Sequence, residues 1–264
     1  MADGPGVELA RFMRARRERM SPADVGFPAA GRRRTPGLRR EEVAVLAGVS
    51  TTWYAYLEQG RGREVSPAVL DSVARVLRVS EDERRHMHFL AHGNVITSPP
   101  LVGELPSDDL VKTLVATTQE SRYPVYAANL YCDLIAWNDA AVEWYDDWSS
   151  LPDYQRNLVR WLVTAPVARD HIVDWRGYLR DTIARWRAMV SLSLDDIYLQ
   201  HLIEELSASS RDFIEFWESY DVQEHRSRLW EFRHPRLRRQ RMRTIVVSGP
   251  EFTPSFVVFH SAVQ

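Results

Sequence analysis

Through the first ninety residues, apolar positions recur at intervals of three and four, the period of helices that bury one face. Leu9, Phe12 and Met13 form one stripe, Val43, Leu46 and Ala47 a second, and Tyr54 with Leu57 a third. Ser66-Pro67 offers an N-cap and a first-turn proline ahead of Val69, Val73, Val76 and Leu77. Ser80 and Glu83 have the spacing of a capping box ahead of Met87, Leu90 and Ala91. The pattern predicts five helices and no strand.

The second and third patterns meet within Glu41 to Gly60. Gly48 suits the left-handed conformation that ends a helix, and Ser50 is placed to cap the next one. Ala44 is small enough to let the two helices cross closely, with Val43, Ala47, Val49, Tyr54 and Leu57 filling the space between them. This is the spacing of a helix-turn-helix, whose second helix is presented to the major groove of DNA.

Beyond residue 107 the period changes. Ser107-Asp108-Asp109 opens a helix carrying Leu110, Val111, Leu114 and Val115, and YPVYAAN and DLIAW then read as two short strands around a turn. Helical patterns follow at 138–145, 157–163, 178–189, 198–206 and 212–217, before three closing strands, SRLWEF, MRTIVVS and SFVVFHS. One antiparallel sheet with helices packed on a face is the expected architecture. Three prolines and two glycines in Ala91–Ser107 interrupt any helix. The expected layout is therefore a DNA-binding domain over 1–95, a linker over 96–106 and a second domain over 107–264.

At 264 residues and 45% hydrophobic, the chain has material for two cores. Its start, MADGPGVELARFM, lacks the design of a secretory signal, and no apolar run approaches the roughly 18 residues of a membrane span. A cytoplasmic protein with no membrane partner is expected. Cys132 is the single cysteine, which argues against a disulfide framework or a cysteine-based zinc site and reads as a small buried side chain.

Charge separates the halves. Residues 1–92 hold 16 arginines and 12 acidic residues, a net of +4, whereas 93–264 hold 18 basic and 24 acidic residues, a net of −6. The arginines cluster in RFMRARRERM and GRRRTPGLRR, either as a surface for a polyanion or as a solvated helix face and loop.

The string GRRRTPGLRREEVAVLAGVS, followed by WYAYLEQGR, resembles an Xre-type, lambda-repressor-like helix-turn-helix domain over residues 7–92, of the subset that carries an MmyB-like C-terminal domain. The resemblance implies an all-α, five-helix DNA-binding domain on double-stranded DNA. It assigns phosphate contacts to Arg39 and Arg40, and base reading to Thr51, Thr52, Ala55 and Tyr56. Threonines give no strong bidentate pairing, so Arg32, Arg33, Arg34, Arg39 and Arg40 are expected to supply much of the affinity through phosphates. Arg39 stands where relatives place a capping Thr, Ser or Asn, leaving Thr35-Pro36 as an alternative start of that helix.

In the second half, DLIAWN at 133–138, Asp174-Trp175, Glu205-Leu206-Ser207 with Phe213 and Trp217, Asp221-Val222, and Phe232-Arg233-His234-Pro235 are similar to the MmyB-like ligand-binding domain. That family implies an α+β, PAS-like fold with a hydrophobic pocket for a fatty acid or similar lipid. Tyr126, Trp137, Trp144, Trp175, Phe216 and Trp217 are candidates to line it, or else ordinary core aromatics. Arg226, Arg228 and His234 are candidates for its carboxylate. After His234-Pro235 the chain departs from relatives with RLRRQRMRTIVV, which places Arg239, Arg241 and Arg243 on one face of a strand. That face holds an anionic ligand, lies along DNA phosphate, or protects an exposed strand by charge.

Catalytic and metal readings find little support. His86, His88 and His92 have no carboxylate at matching spacing, and the adjacent pairs Asp146-Asp147, Asp195-Asp196 and Glu204-Glu205 diverge along a helix. No nucleophile elbow, phosphate loop or dinucleotide fingerprint occurs. No catalytic residue, metal or cofactor is expected. Three readings stay open: a ligand-responsive homodimeric regulator, a DNA-binding protein whose second half only dimerises or contacts protein, and an enzyme tethered to DNA. The first is preferred.

Overall fold

The computed structural model of the protein describes residues 4–27, 37–61, 65–92, 107–223, 227–248 and 254–263. The chain divides into two compact units. The first comprises Met1–Val95 with Ser191–Gln200 and Ser219–Gln223; the second comprises Ile96–Val190, His201–Glu218 and Glu224–Gln264. The expected linker at 96–106 and the alternative helix start at Thr35-Pro36 lie outside the described residues.

The first unit contains α1 (Pro5–Arg19), α2 (Arg40–Ala47), α3 (Thr51–Leu57), α4 (Pro67–Val76) and α5 (Glu81–His92). Its helix ends follow local chemistry. Gly48 is left-handed at φ 71° and closes α2, and the Ser50 side chain accepts from the Trp53 N–H to start α3. Ser66 caps α4 with Pro67 behind it. Ser80 and Glu83 exchange reciprocal bonds of 2.7 and 3.2 Å at the start of α5. Arg39 caps α2 without its side chain; its N–H donates instead to the Glu42 carboxylate at 2.7 Å.

Phe12, Met13, Val43, Ala44, Tyr54, Leu70, Val73 and Met87 form the centre of this core. Leu46, expected among them, is 40% exposed. The buried edge of α2 is Val43, Ala44 and Ala47, because the chain turns back so tightly that the Val49 N–H reaches the Ala44 carbonyl at 2.9 Å. In the same unit, Asp221 accepts from Arg16 at 3.2 Å and Arg19 at 2.8 Å, both on α1.

Gly37 sets the return of the chain onto α1. It is left-handed at φ 73°, and the next residue, Leu38, bonds the Arg17 carbonyl at 3.1 Å. A Cβ there would collide with the carbonyl oxygens of Arg17 and Glu18. Gly37→Ala is accordingly expected to lower the unfolding free energy by roughly 2–3 kcal/mol, combining backbone strain with a clash against fixed backbone. Chemical denaturation of the full chain measures this, and a loss under about 0.5 kcal/mol contradicts it.

The second unit is built on one five-stranded sheet of β1 (Val125–Ala128), β2 (Leu134–Trp137), β3 (Arg228–His234), β4 (Arg238–Val247) and β5 (Phe256–Ala262). The order is β2-β1-β5-β4-β3 and every pairing is antiparallel. On one face lies α6 (Ser107–Ala116), whose Val111 and Val115 pack on Val125, Ala127 and Val257. The opposite face carries Tyr126, Val258 and Val246, paired across β1, β5 and β4, with Thr244 and Phe232 further along β4 and β3. Around it come α7 (Asp139–Trp144), α8 (Leu158–Thr164), α9 (Pro166–His171) and α10 (Trp175–Val190). Two further helices are α11 (Ile197–Ser209) and α12 (Arg211–Glu218), the latter packed on α10.

The DLIAWN segment owes its residues to hydrogen bonding. Fully buried Asn138 accepts from Val125 N–H and Ala141 N–H and donates to the Thr118 and Tyr123 carbonyls, so it joins β1, α7 and the preceding loop. Asp133 accepts from Asn157 at 2.8 Å, tying β2 to the start of α8.

Candidate DNA-reading helix and ligand cavity

α3 buries Tyr54 and Leu57 against the core and turns Thr51, Thr52 and Tyr56 to solvent, Tyr56 at 51% exposure. Ala55 is partly covered. Gln59, one turn beyond Tyr56 on the same side, is exposed as well. It was missed because it follows the helical pattern, yet an amide can pair bidentately with adenine.

Arg39 is exposed at the start of α2, 3.5 Å from Glu41. Arg40 is held differently: its Nε donates to Glu58 Oε2 at 2.7 Å while 40% of the side chain stays exposed. Glu58, 1% exposed, also accepts from Arg17 at 2.5 and 3.2 Å, so one carboxylate joins α1, α2 and the end of α3. Burial by itself raises the Glu58 carboxyl, but the Arg17 and Arg40 bonds outweigh it and leave it below its ordinary value. Burial, and then the neighbouring Glu58 charge, push the Tyr54 hydroxyl well up. Arg40 thus presents its outer nitrogens from a fixed stem. Arg32, Arg33 and Arg34 lie outside the described residues.

In the second unit, α10 and the inner sheet face enclose a narrow cavity of about 20 Å³. Tyr126, Val246, Phe256 and Val258 come from the strands, Thr182, Arg185, Trp186 and Met189 from α10, with Cys132, Leu158 and Thr244 completing the wall. The lining is apolar with a few polar groups. Among these, Thr182 Oγ1, Thr244 Oγ1 and Trp186 Nε1 are buried without a hydrogen-bond partner. Arg185 is 7% exposed and pairs with Asp181 one turn earlier at 2.7 Å. Arg228, at the start of β3, approaches the other Asp181 oxygen at 3.3 Å.

Beside the cavity lies a buried chain of hydroxyls. His260 Nδ1 donates to the Pro124 carbonyl at 2.9 Å, so its Nε2 accepts from the Tyr145 hydroxyl at 2.7 Å, and Tyr178 donates to Tyr145 at 3.1 Å. Burial lowers His260 to about 4 and keeps the imidazole neutral. Burial likewise pushes the Cys132 thiol up, so it is a packed side chain rather than a nucleophile.

Of the sequence candidates for the ligand, the structure brings Tyr126 to the cavity wall and Arg228 to its ion cluster. Trp144 donates to the Arg122 carbonyl and Trp175 to the Leu162 carbonyl, both closing local structure. Trp137 packs on Trp148 under Arg156, Phe216 lies under Arg176, and Trp217 stacks on Phe213 and Trp186. His234 accepts from the Arg236 and Leu237 N–H groups and so fixes the β3–β4 turn. Arg226 lies outside the described residues. The histidines of α5 are also engaged: His88 meets Asp71 at 2.7 Å, and His92 meets the Val65 carbonyl at 2.7 Å. Among the described residues no three His, Cys, Asp or Glu converge as metal ligands, and no helix is long and apolar enough to cross a membrane.

The family model for the MmyB-like transcription regulator ligand binding domain matches residues 111–260, more than half of the chain. The chain belongs to that family. A helix-turn-helix domain model matches residues 8–87, which contain α2 and α3. No curated protein matches the chain. The two models together describe a transcription regulator with a DNA-binding helix-turn-helix and an MmyB-like domain for a small molecule, both of them binding domains rather than catalytic ones.

Proposed function

We propose that this MmyB-like regulator is a homodimer that reads a pseudo-palindromic operator through two copies of α3. A hydrophobic carboxylic acid of the fatty-acid class, bound in a PAS-like second domain, alters its operator affinity. The observation that carries the ligand class is the ion cluster at the cavity wall, where Arg185 and Arg228 both reach the Asp181 carboxylate. Arg185 is almost wholly buried at the cavity wall, and a ligand carboxylate entering there meets its guanidinium in a charge-assisted bond. The unpartnered Thr182, Thr244 and Trp186 donors supply further bonds. A cavity of about 20 Å³ holds little more than one water, so head group and acyl tail both displace side chains. Met189, unbranched and adaptable, is the member of the wall best suited to yield.

A shift of Trp186 acts on α12, because Trp186 packs on Trp217 at 5.3 Å and Arg187 covers the same ring at 3.8 Å. The residues that follow α12, Ser219–Gln223, belong to the first unit, where Asp221 holds Arg16 and Arg19. Arg185→Met keeps the volume and leaves Arg228 to pair with Asp181. It is expected to weaken binding of the fluorescent fatty acid cis-parinaric acid by about tenfold to a hundredfold, the loss of a charge-assisted bond. Unchanged affinity removes Arg185 as the anchor. Equal operator affinity with and without palmitate removes the coupling.

A further inference from the structure

The outer face of the sheet is covered unevenly. α6 shields β2, β1 and β5, while β4 and the edge strand β3 carry Arg239, Arg241 and Arg243, all exposed, with Arg233 directly across from Arg239. Met242 and Thr244, between the arginines, are buried on the other face, so the strand's alternation is fixed by its core side. Successive arginines on such a strand stand about 7 Å apart. Glu231, paired to Arg239 at 3.3 Å, is the one acidic residue in 227–248, against seven arginines. Elsewhere, residues 93–264 hold 11 basic and 23 acidic residues.

We infer that this ribbon is a second DNA-contacting surface, which lies along the phosphate backbone while α3 reads bases. The inference rests on the DNA-binding reading of the first unit. Arg233 lies across from Arg239 and donates to the Arg169 and Asp170 carbonyls, so with Arg241 and Arg243 the ribbon carries more positive charge than Glu231 balances, which phosphate offsets. An evenly spaced row of cations on a flat strand matches a linear polyanion whose charges repeat regularly. With 11 basic and 23 acidic residues in the rest of 93–264, this ribbon concentrates the positive charge of an otherwise acidic half, which favours its approach to such a field. A second copy of the same face is excluded as the occupant, because a two-fold contact would set arginine against arginine.

The experiment uses the full chain and two duplexes, one carrying a site selected from random sequence and one without it, titrated over a range of salt concentrations. Arg239→Gln, Arg241→Gln and Arg243→Gln together are expected to reduce the slope of log affinity against log salt by up to about 2.7, some 0.9 for each phosphate no longer neutralised. Both duplexes lose affinity by the same factor, so selectivity is unchanged. The corresponding triple lysine chain keeps the charge and retains the wild-type slope. Equal slopes for wild type, glutamine and lysine chains overturn the proposal and leave an acidic protein surface as the partner of this face. The same glutamine changes in a chain already carrying Thr51→Ala, Thr52→Ala and Tyr56→Ala separate the two readings. A reduced slope there supports the ribbon whatever α3 does, whereas selectivity that survives the alanines counts against α3 alone.

Discussion

Glu58→Gln is expected to cost the helix-turn-helix unit about 3–5 kcal/mol, a large share of the roughly 5–15 kcal/mol that holds a domain folded. The reason lies in what remains behind. Arg17 is 4% exposed and directs its Nε at Glu58, with further nitrogens on the Leu38 carbonyl and, at 3.4 Å, on the exposed Glu18, so Glu58→Gln removes its buried counter-charge. Replacing Arg17 by Met and Glu58 by Leu together is expected to cost less than Glu58→Gln alone, since no buried charge is orphaned. The sign of the pH dependence follows from the carboxyl being held below its ordinary value in the fold. The node's contribution is complete above the unfolded carboxyl pKa of about 4.3 and is lost as pH falls through the lower folded value. Thermal melting of the unit from pH 7 down to pH 2 tests both claims. A Glu58→Gln chain that melts within a degree or two of wild type sinks the first, and an identical acid limb in both chains sinks the second.

That node also shows where reading from sequence stops. Gly48, Ser50, Ser66 and the Ser80–Glu83 pair act on neighbours within four residues, and their roles were plain from spacing alone. The strand segments were equally legible, because the alternation of Met242 and Thr244 with arginines reports one buried face. Glu58 is 41 residues from Arg17 and 18 from Arg40, and in sequence it looks like any solvated glutamate. The cavity was hidden for a related reason. On α10, Asp181 and Arg185 have the spacing of a surface ion pair, and only the fold encloses both within 8% side-chain exposure. Apart from Tyr126, the aromatic residues chosen pack elsewhere, and the ring nitrogens of Trp144 and Trp175 end on backbone carbonyls. One clue was available. Tyr178, Thr182, Arg185, Trp186 and Met189 repeat at three, four and one residue steps, a helix face that mixes hydroxyl, charge and indole where an ordinary core stripe is aliphatic.

Replacing Thr51, Thr52 and Tyr56 of α3 by alanine is expected to remove selective DNA binding while leaving a salt-sensitive background. The three side chains are exposed, so the fold loses within about 0.5 kcal/mol for each. Each base interaction removed costs roughly 1–3 kcal/mol, and together they reduce the preference for the selected site over random duplex by a hundredfold or more. Arg39 and the Glu58-held Arg40 are untouched, and the phosphate contacts proposed for them are blind to sequence. The background should therefore keep the wild-type salt slope. The two measurements report different groups: selectivity reports α3, and slope reports the arginines, those beside α3 together with those of β4. Selectivity that persists in the triple-alanine chain means that another segment reads the bases, and Gln59, exposed one turn further along, is the first to replace. A slope that collapses together with selectivity means instead that the hydroxyl groups position the phosphate contacts, and that reading and anchoring on this unit are one event.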